Sequence, residues 1–208
     1  MKATPIFRAI PTLVLALALG LPGGAATQAN APAVDTYVID AVHSGARFEI
    51  AHLLVSTVSG QFTKFQGTLK LDPMNLAKSS VEVVIDAASI TTGTEARDKD
   101  LRSDRFFDVA KYPTITFKST SVKEVAKGKL EITGDFTIHG VTKRITFPIT
   151  NAGTQAGPKP GTVVAGFIDG ALTIDRQEYG VSYGKGMVGD EVAISLNIEA
   201  GKVDAPKS

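Results

Sequence analysis

Apolar and polar residues alternate along most of the chain after Asp35, a pattern typical of β-strands that bury one face. The alternation is clearest over Lys129–Ile138, where one face is apolar and the other carries lysine, glutamate, threonine and aspartate. A second alternating segment, Arg144–Ile149, follows a turn at His139-Gly140. The two segments are therefore predicted to form an antiparallel hairpin.

Seven further segments share this alternation and are separated by residues typical of turns, which gives about nine short strands. They are Tyr37–Asp40, Gly45–Leu54, Ser59–Leu71, Val81–Ala87, Thr114–Val122, Val163–Ile174 and Glu191–Glu199. A loop is predicted from Asn151 to Gly161, which contains three glycines and two prolines.

One segment departs from the period of two. Thr92-Gly93-Thr94-Glu95 has the Thr-x-x-Glu form of a helix capping box, and a short helix is predicted from about Thr94 to Ser103. It is followed by Phe106-Phe107, whose large rings need an apolar surface to cover.

The pattern predicts an all-β fold, in which closure into a barrel removes the exposed strand edges; a sandwich is the alternative. Around eight strands give an interior that side chains fill or that holds one small ligand. The residues predicted to face inward carry no charge: Phe48, Ile50, Phe62, Leu69, Val83, Ile85, Phe117, Ile132, Phe136, Ile138, Ile145, Phe147, Ile174, Ile194 and Leu196. If they enclose a cavity, it suits a long apolar chain, since each buried methylene contributes about 0.8 kcal/mol. Periodicity alone leaves a solid core as the alternative.

The first 31 residues are predicted to be a secretory signal peptide. Lys2 and Arg8 precede an apolar run from Leu13 to Leu19, and a patch of small residues follows. The run is too short to span the ~30 Å hydrocarbon core of a bilayer, although a retained anchor is the alternative. We therefore predict export to the bacterial periplasm, cleavage somewhere in 26–31, a barrel domain over 35–200 and a flexible tail over 201–208.

Charge and composition exclude several classes of function. Loss of Lys2 and Arg8 with the signal peptide leaves 20 basic against 21 acidic residues, and a net charge of −1 offers no electrostatic footprint for nucleic acid. Cysteine is absent, which excludes thiol catalysis, CxxC redox chemistry and a lipidated cysteine. The sequence has no GxSxG, GxGxxG, Walker A or EF-hand pattern, and no cofactor is predicted.

A succession of short motifs covers the chain from about Asp35 to Ala200. They are Tyr37-Val38-Ile39-Asp40, His43-Ser44, Phe48-Glu49-Ile50, His52, Gly60-Gln61-Phe62, Phe65-Gln66-Gly67, Ser79-Ser80-Val81-Glu82-Val83, Ser89-Ile90-Thr91-Thr92, Arg97-Asp98, Leu101-Arg102-Ser103, Phe106-Phe107-Asp108-Val109, Tyr112-Pro113-Thr114-Ile115-Thr116-Phe117, Gly134 to Lys143, Ile174-Asp175-Arg176, Tyr179-Gly180-Val181 and Val188-Gly189-Asp190-Glu191-Val192. Each motif is weak alone, but their order is specific. In this order the chain resembles the YceI-like family of secreted, lipocalin-like barrels.

The resemblance implies an eight-stranded antiparallel barrel with one helical excursion. Its tunnel would hold a polyisoprenoid chain, such as a quinone or a prenyl lipid, and some relatives hold fatty-acid amides. Phe106 and Phe107 are predicted to gate or plug this tunnel. A homodimer is also expected from the resemblance.

Four polar residues are predicted to contact a ligand headgroup: His43, His52, Arg97 and Arg102. A solvated, ion-paired helix face is the alternative for the two arginines. Three imidazoles would ligate zinc if His139 converged with the other two, but their spacing matches no zinc motif and no metal site is predicted. Asp175-Arg176 and Glu178 are predicted to form a turn and an ion pair.

The leading hypothesis is a non-enzymatic, exported protein that holds an isoprenoid or similarly long amphipathic lipid for transport, storage or sequestration. No stable membrane anchor is expected after signal cleavage. The alternatives are a lipid-modifying or metal-dependent enzyme, and a solid barrel that serves as an interaction module.

Overall fold

The computed structural model describes residues 34–203, so the predicted signal peptide and its cleavage region lie outside the described residues. The strands are β1 (Asp35–Ile39), β2 (Gly45–His52), β3 (Ser56–Phe62), β4 (Phe65–Leu71), β5 (Ser80–Asp86), β6 (Ile90–Thr91), β7 (Thr114–Ala126), β8 (Lys129–Ile138), β9 (Val141–Ala156), β10 (Val163–Asp175) and β11 (Val188–Val203). Helix α1 (Glu95–Arg102) lies between β6 and β7. Within residues 34–203, no helix is long and apolar enough to cross a bilayer.

Eight strands close into an antiparallel barrel in the order β1, β4, β5, β7, β8, β9, β10 and β11, with β11 pairing back to β1. The predicted eight-stranded barrel is therefore confirmed. β11 is 16 residues long and serves two partners, since Ala200–Val203 pairs with β1 and Val188–Asn197 pairs with β2. β2, β3 and β6 continue the sheet beyond the closed part.

Three predicted boundaries were wrong. The strand predicted over Ser59–Leu71 is broken at Thr63-Lys64, whose amides bond to Ser89, so that β3 pairs with β2 while β4 pairs with β1 and β5. β9 runs to Ala156, inside the predicted loop, because its last residues pair with β10. The tail predicted over 201–208 was wrong for residues 201–203, which pair with β1, and its other residues lie outside the described ones.

Helix α1 lies where the sequence predicts it, but the predicted capping box was wrong. Thr94 precedes the helix and its side chain makes no capping hydrogen bond. Thr92 instead donates from its hydroxyl and its amide to the buried carboxylate of Asp98, at 2.5 and 2.8 Å. Asp98 therefore ties α1 to the end of β6, through a turn at Gly93 with a φ of +77°.

The buried core has two parts at opposite ends of the barrel. One includes Tyr37, Leu71, Leu130 and Phe167 and fills what we call the far end. The other includes Ala87, Phe106, Ile115, Ile138, Tyr179 and Val181 and packs beneath the segment that follows α1, at what we call the helix end. The space between them is the interior of the barrel.

Candidate functional site

The interior of the barrel contains an apolar cavity of about 450 Å³. This volume falls in the ~300–1,000 Å³ range of small-molecule sites. All seventeen apolar residues predicted to contact a ligand line it: the fifteen inward-facing residues named above, together with Phe106 and Phe107. The interior is therefore not the solid core that periodicity left open, whereas contact between these residues and a ligand stays a prediction.

Aromatic side chains from three neighbouring strands form one wall of the cavity. The ring of Phe117 on β7 lies 6.5 Å from Phe136 on β8 and 5.5 Å from Phe147 on β9, centre to centre. Gly134 makes room for this cluster, because a Cβ there would lie 2.5 Å from Phe117 Cζ. The strand period thus places all three rings on the inner face.

The sequence prediction missed part of the lining. Further strand residues face the cavity, among them Ile39, Ala46, Val58, Phe65, Val81, Ile115, Leu130, Ile149, Phe167, Leu172 and Ile198. The same alternation could have identified most of them. The loop that supplies Tyr183 and Met187 has no such period, so the sequence carried no signal for these two residues.

Some of the polar residues that line the cavity lie at the helix end, whereas Lys70, Ser79 and Ser80 line it at the far end. We define the mouth by His52 at the end of β2, Arg97 and Asp100 on α1, and Tyr183 and Met187 in the loop before β11, all of which line the cavity. The structure thus places two of the four predicted headgroup residues, His52 and Arg97, at the mouth. It does not place the other two there.

Arg97 is held in position by polar atoms around the start of α1. Its Nε donates to Thr92 Oγ1 at 2.7 Å, and its Nη2 donates to Thr92 O and Thr94 Oγ1 at 3.0 and 3.2 Å. Nη1 has no acceptor among the described residues. The guanidinium is therefore oriented by the protein and retains donors at the mouth.

Arg102 and His43 were predicted to contact a headgroup, but the structure places neither of them at the cavity. Arg102 does not line the cavity; it donates to the carbonyl oxygens of Ala88 and Ile90 at 2.8 and 2.9 Å and so fixes α1 to the barrel. His43 lies away from the cavity, and its Nδ1 is 2.9 Å from Asp40 Oδ2. The hydrogen bond with Asp40 raises the pKa of His43.

The three histidines do not converge. His139 stacks on Tyr112 with a centre-to-centre distance of 4.4 Å, and His52 is at the mouth. In residues 34–203, the single group of three side chains with metal-ligand spacing is Asp40, His43 and Glu199, whose ligand atoms lie within 4.8 Å of one another outside the cavity. A zinc site built from three histidines is therefore excluded.

The segment after α1 covers the mouth and contacts the loop before β11. Arg105 Nη1 donates to the Tyr183 hydroxyl at 3.0 Å, and Arg105 also forms an ion pair with Asp100. The hydrogen bond to Tyr183 raises the pKa of Arg105. The ring of Phe106 meets Tyr183 edge-on at 5.3 Å, and Phe107 meets Phe62 in the same way at 5.9 Å. Both phenylalanines are therefore part of this segment and contact Tyr183 and Phe62, whereas their gating role stays a prediction.

Arg176 organises the loop on the other side of the mouth, a role that the sequence did not reveal. It is 4% exposed and donates to the carbonyl oxygens of Gly189, Val181, Tyr183 and Val188 at 2.6 to 3.1 Å. Burial lowers its pKa. The turn predicted here is present, since Asp175 accepts from the Gln177 amide. The ion pair predicted within Asp175, Arg176 and Glu178 was wrong, because Glu178 pairs with Lys143 and Arg176 lies 3.5 Å from Asp190.

Comparison with known proteins places this barrel in a family. The profile of the YceI-like domain matches residues 37–200. A UPF0312 protein of Vibrio parahaemolyticus is 43% identical over 156 residues, which cover 74% of this chain and 78% of that protein. The crystal structure of BcnA from Burkholderia cenocepacia is similar with a TM-score of 0.69 at 29% identity, over 77% of this chain and 98% of BcnA.

A more distant structure has the same fold. It is a polyisoprenoid binding domain from Saccharophagus degradans, with a TM-score of 0.59 at 16% identity, over 82% of this chain and 99% of that one. At this identity the likeness concerns the fold alone. From the profile and the V. parahaemolyticus relative, the chain belongs to the YceI-like family.

Proposed function

We propose that this protein binds an isoprenoid lipid, such as a quinone or a prenyl lipid, or a similarly long amphipathic molecule, inside its barrel. The observation that carries the proposal is the apolar cavity of about 450 Å³ inside the barrel. Burial there stabilises an apolar tail by about 0.8 kcal/mol per methylene. The S. degradans domain, which has the same fold, is a polyisoprenoid binding domain, and this supports the same ligand class.

The mouth suits a polar headgroup. Arg97 offers its Nη1 donors to a phosphate, carbonyl or quinone oxygen, and His52 lines the same opening. A ligand held in this way keeps its headgroup near water while its tail is buried. We propose that the protein acts by shielding the tail, in transport, storage or sequestration, without changing the lipid chemically.

We further propose that the protein is exported and works in the periplasm after removal of its signal peptide. The charge, length and small-residue patch of Met1–Ala31 support export. The intact mass of the protein from a periplasmic fraction tests this proposal. Cleavage within 26–31 is the expected result, and a full-length mass would refute it.

The test of lipid binding is native mass spectrometry of protein from its own host, followed by organic extraction. We expect a bound prenyl chain or fatty amide. Ala46 of β2 lines the cavity, so Ala46→Phe should fill part of it and reduce the extracted lipid about tenfold or more. Glu49→Phe is the matched control, since it adds the same ring at an exposed position on the same strand outside the cavity.

Thermal unfolding of both variants shows whether each is folded. An empty wild-type protein that also excludes added long-chain lipids would refute the proposal. Equal lipid content in folded Ala46→Phe and wild type would refute the assignment of the cavity as the binding site.

A further inference from the structure

The turn between β2 and β3 exposes consecutive apolar residues beside the mouth. Leu53, Leu54 and Val55 are 52%, 89% and 83% exposed, and Met187 of the neighbouring loop is 54% exposed. The Leu53 amide donates to the Met187 carbonyl oxygen at 2.7 Å, which joins the two loops. We call these four residues the apolar tip.

The backbone of this turn does not favour leucine. Leu53 and Leu54 have φ values of +52° and +58°, a region in which glycine and asparagine are the residues of lowest strain. Hairpin turns with positive φ at both central positions prefer Asn-Gly. The stability of the turn therefore does not explain why either residue is leucine. The two leucines add exposed apolar surface at positions where their backbone is strained.

The tip adjoins the route by which a ligand leaves the barrel. His52, which directly precedes the tip, lines the cavity, and so does Met187 within the tip. An apolar chain that passes through the mouth therefore moves past the apolar tip.

The charge around the tip matches an anionic surface. The loop residues 53–55 and 183–187 contain Lys185 and no aspartate or glutamate, and Lys185 is exposed. Phospholipid surfaces that carry anionic headgroups attract lysine side chains that lie close to them.

The size of the tip favours a bilayer over a protein partner. Four side chains cover no more than a few hundred Å², whereas a stable protein–protein interface buries ~800 Å² on each partner. Insertion into the headgroup region of a membrane needs no such area, because each buried apolar side chain contributes by itself.

We propose that the apolar tip inserts into the surface of an anionic phospholipid bilayer and docks the mouth against it. The inference rests on the proposed lipid-binding function. In the docked state a lipid moves between the bilayer and the cavity without exposing its tail to water. Docking by four side chains is reversible, as a carrier requires.

The test is flotation of the purified protein with vesicles of equal parts phosphatidylethanolamine and phosphatidylglycerol. The double variant Leu53→Asn/Leu54→Gly relaxes the backbone and removes both side chains. We expect its melting temperature to equal or exceed that of the wild type, while its vesicle affinity falls about tenfold or more. Met74→Ser is the control, since Met74 is 77% exposed but follows β4 at the far end, and we expect its vesicle binding to match the wild type.

The lipid extracted from the same protein samples separates the two proposals. We expect the double variant to retain as much lipid as the wild type, because neither leucine lines the cavity. Wild-type protein that contains lipid but does not float, or a double variant that floats equally well, overturns docking and leaves the binding function intact. A wild-type protein that contains no lipid and also excludes added long-chain lipids overturns the binding function itself.

A second copy of the chain is the other partner that could cover the apolar tip. Light scattering, which measures the oligomeric state, tests this alternative. A dimer that becomes a monomer in the double variant, with vesicle binding unchanged, would assign the tip to self-association and overturn membrane docking. A vesicle affinity that falls without change in oligomeric state supports it.

Discussion

The guanidinium of Arg105 lies 4.8 Å from the ring centre of Tyr183 and donates a 3.0 Å hydrogen bond to its hydroxyl. The two residues are 78 positions apart and belong to the two segments that face each other across the mouth. We expect a lipid that leaves through the helix end to pass between these segments. We therefore predict that the Arg105–Tyr183 contact, which we call the latch, slows its release.

Loss of the latch should speed ligand release. We expect Arg105→Gln to raise the dissociation rate of a fluorescent fatty-acid probe about two- to tenfold, because a cation–π contact and a hydrogen bond are lost at an exposed site. Stopped-flow exchange measures the rate. Arg144→Gln, which removes an ion pair with Asp135 between β8 and β9, is the control and should leave the rate unchanged. Equal rates for Arg105→Gln and wild type would refute the latch.

Arg176 should be required for the stability of the loop before β11. We expect Arg176→Lys to lower the free energy of unfolding by about 3 kcal/mol or more, since one ammonium cannot serve the four carbonyl oxygens that the buried guanidinium reaches. Urea unfolding measures the change. A loss within about 0.5 kcal/mol, typical of a surface substitution, would contradict this role.

Two glycines on the barrel should respond differently to a methyl group. A Cβ at Gly134 would lie 2.5 Å from both Phe117 Cζ and the Lys118 carbonyl oxygen, so Gly134→Ala should cost about 1–3 kcal/mol through overpacking. At Gly166 the nearest atom is Ala152 Cβ at 3.4 Å, and Gly166→Ala should change stability by less than about 1 kcal/mol. Thermal unfolding of both variants checks the contrast, which equal melting temperatures would refute.

Asp98 should make the protein sensitive to acid. Burial raises the pKa of its carboxyl, but hydrogen bonds from Thr92 and Thr91 outweigh this effect and hold the pKa below its ordinary value of 3.8. Because the pKa is lower in the folded than in the unfolded chain, the stabilisation is fully present above about pH 4 and is lost as the pH falls through the folded value. We expect the unfolding free energy of Asp98→Asn to depend less on pH in this range than that of the wild type. Urea unfolding at several pH values tests this, and parallel curves would contradict it.

The barrel and much of its lining could be predicted from the sequence. Each strand buries one face, so a period of two identifies inward residues such as Phe117 and Phe136 without knowledge of their partners. The length of β11 could not be found in this way, since its ends are set by pairing with β1 and β2, which are distant along the chain.

The polar residues could not be assigned from the sequence for a related reason. Arg97 and Arg102 lie on the same short helix, and their residue type and spacing do not distinguish them. Only the folded chain brings the carbonyl oxygens of Ala88 and Ile90 to Arg102 and leaves Arg97 at the mouth. Arg176 is a similar case, because two of its carbonyl partners belong to a loop without periodicity and the other two to the first residues of β11.

The barrel closes only when β11 pairs with β1, so the cavity forms after the last strand has been made. A chain that emerges N-terminus first presents ten strands before the one that completes the wall. Until that last strand arrives, the seven other strands of the barrel form an open sheet in which β1 and β10 are unpaired edges. Loading with lipid must therefore follow emergence of the whole domain, and a chain interrupted before β11 has no enclosed interior to fill.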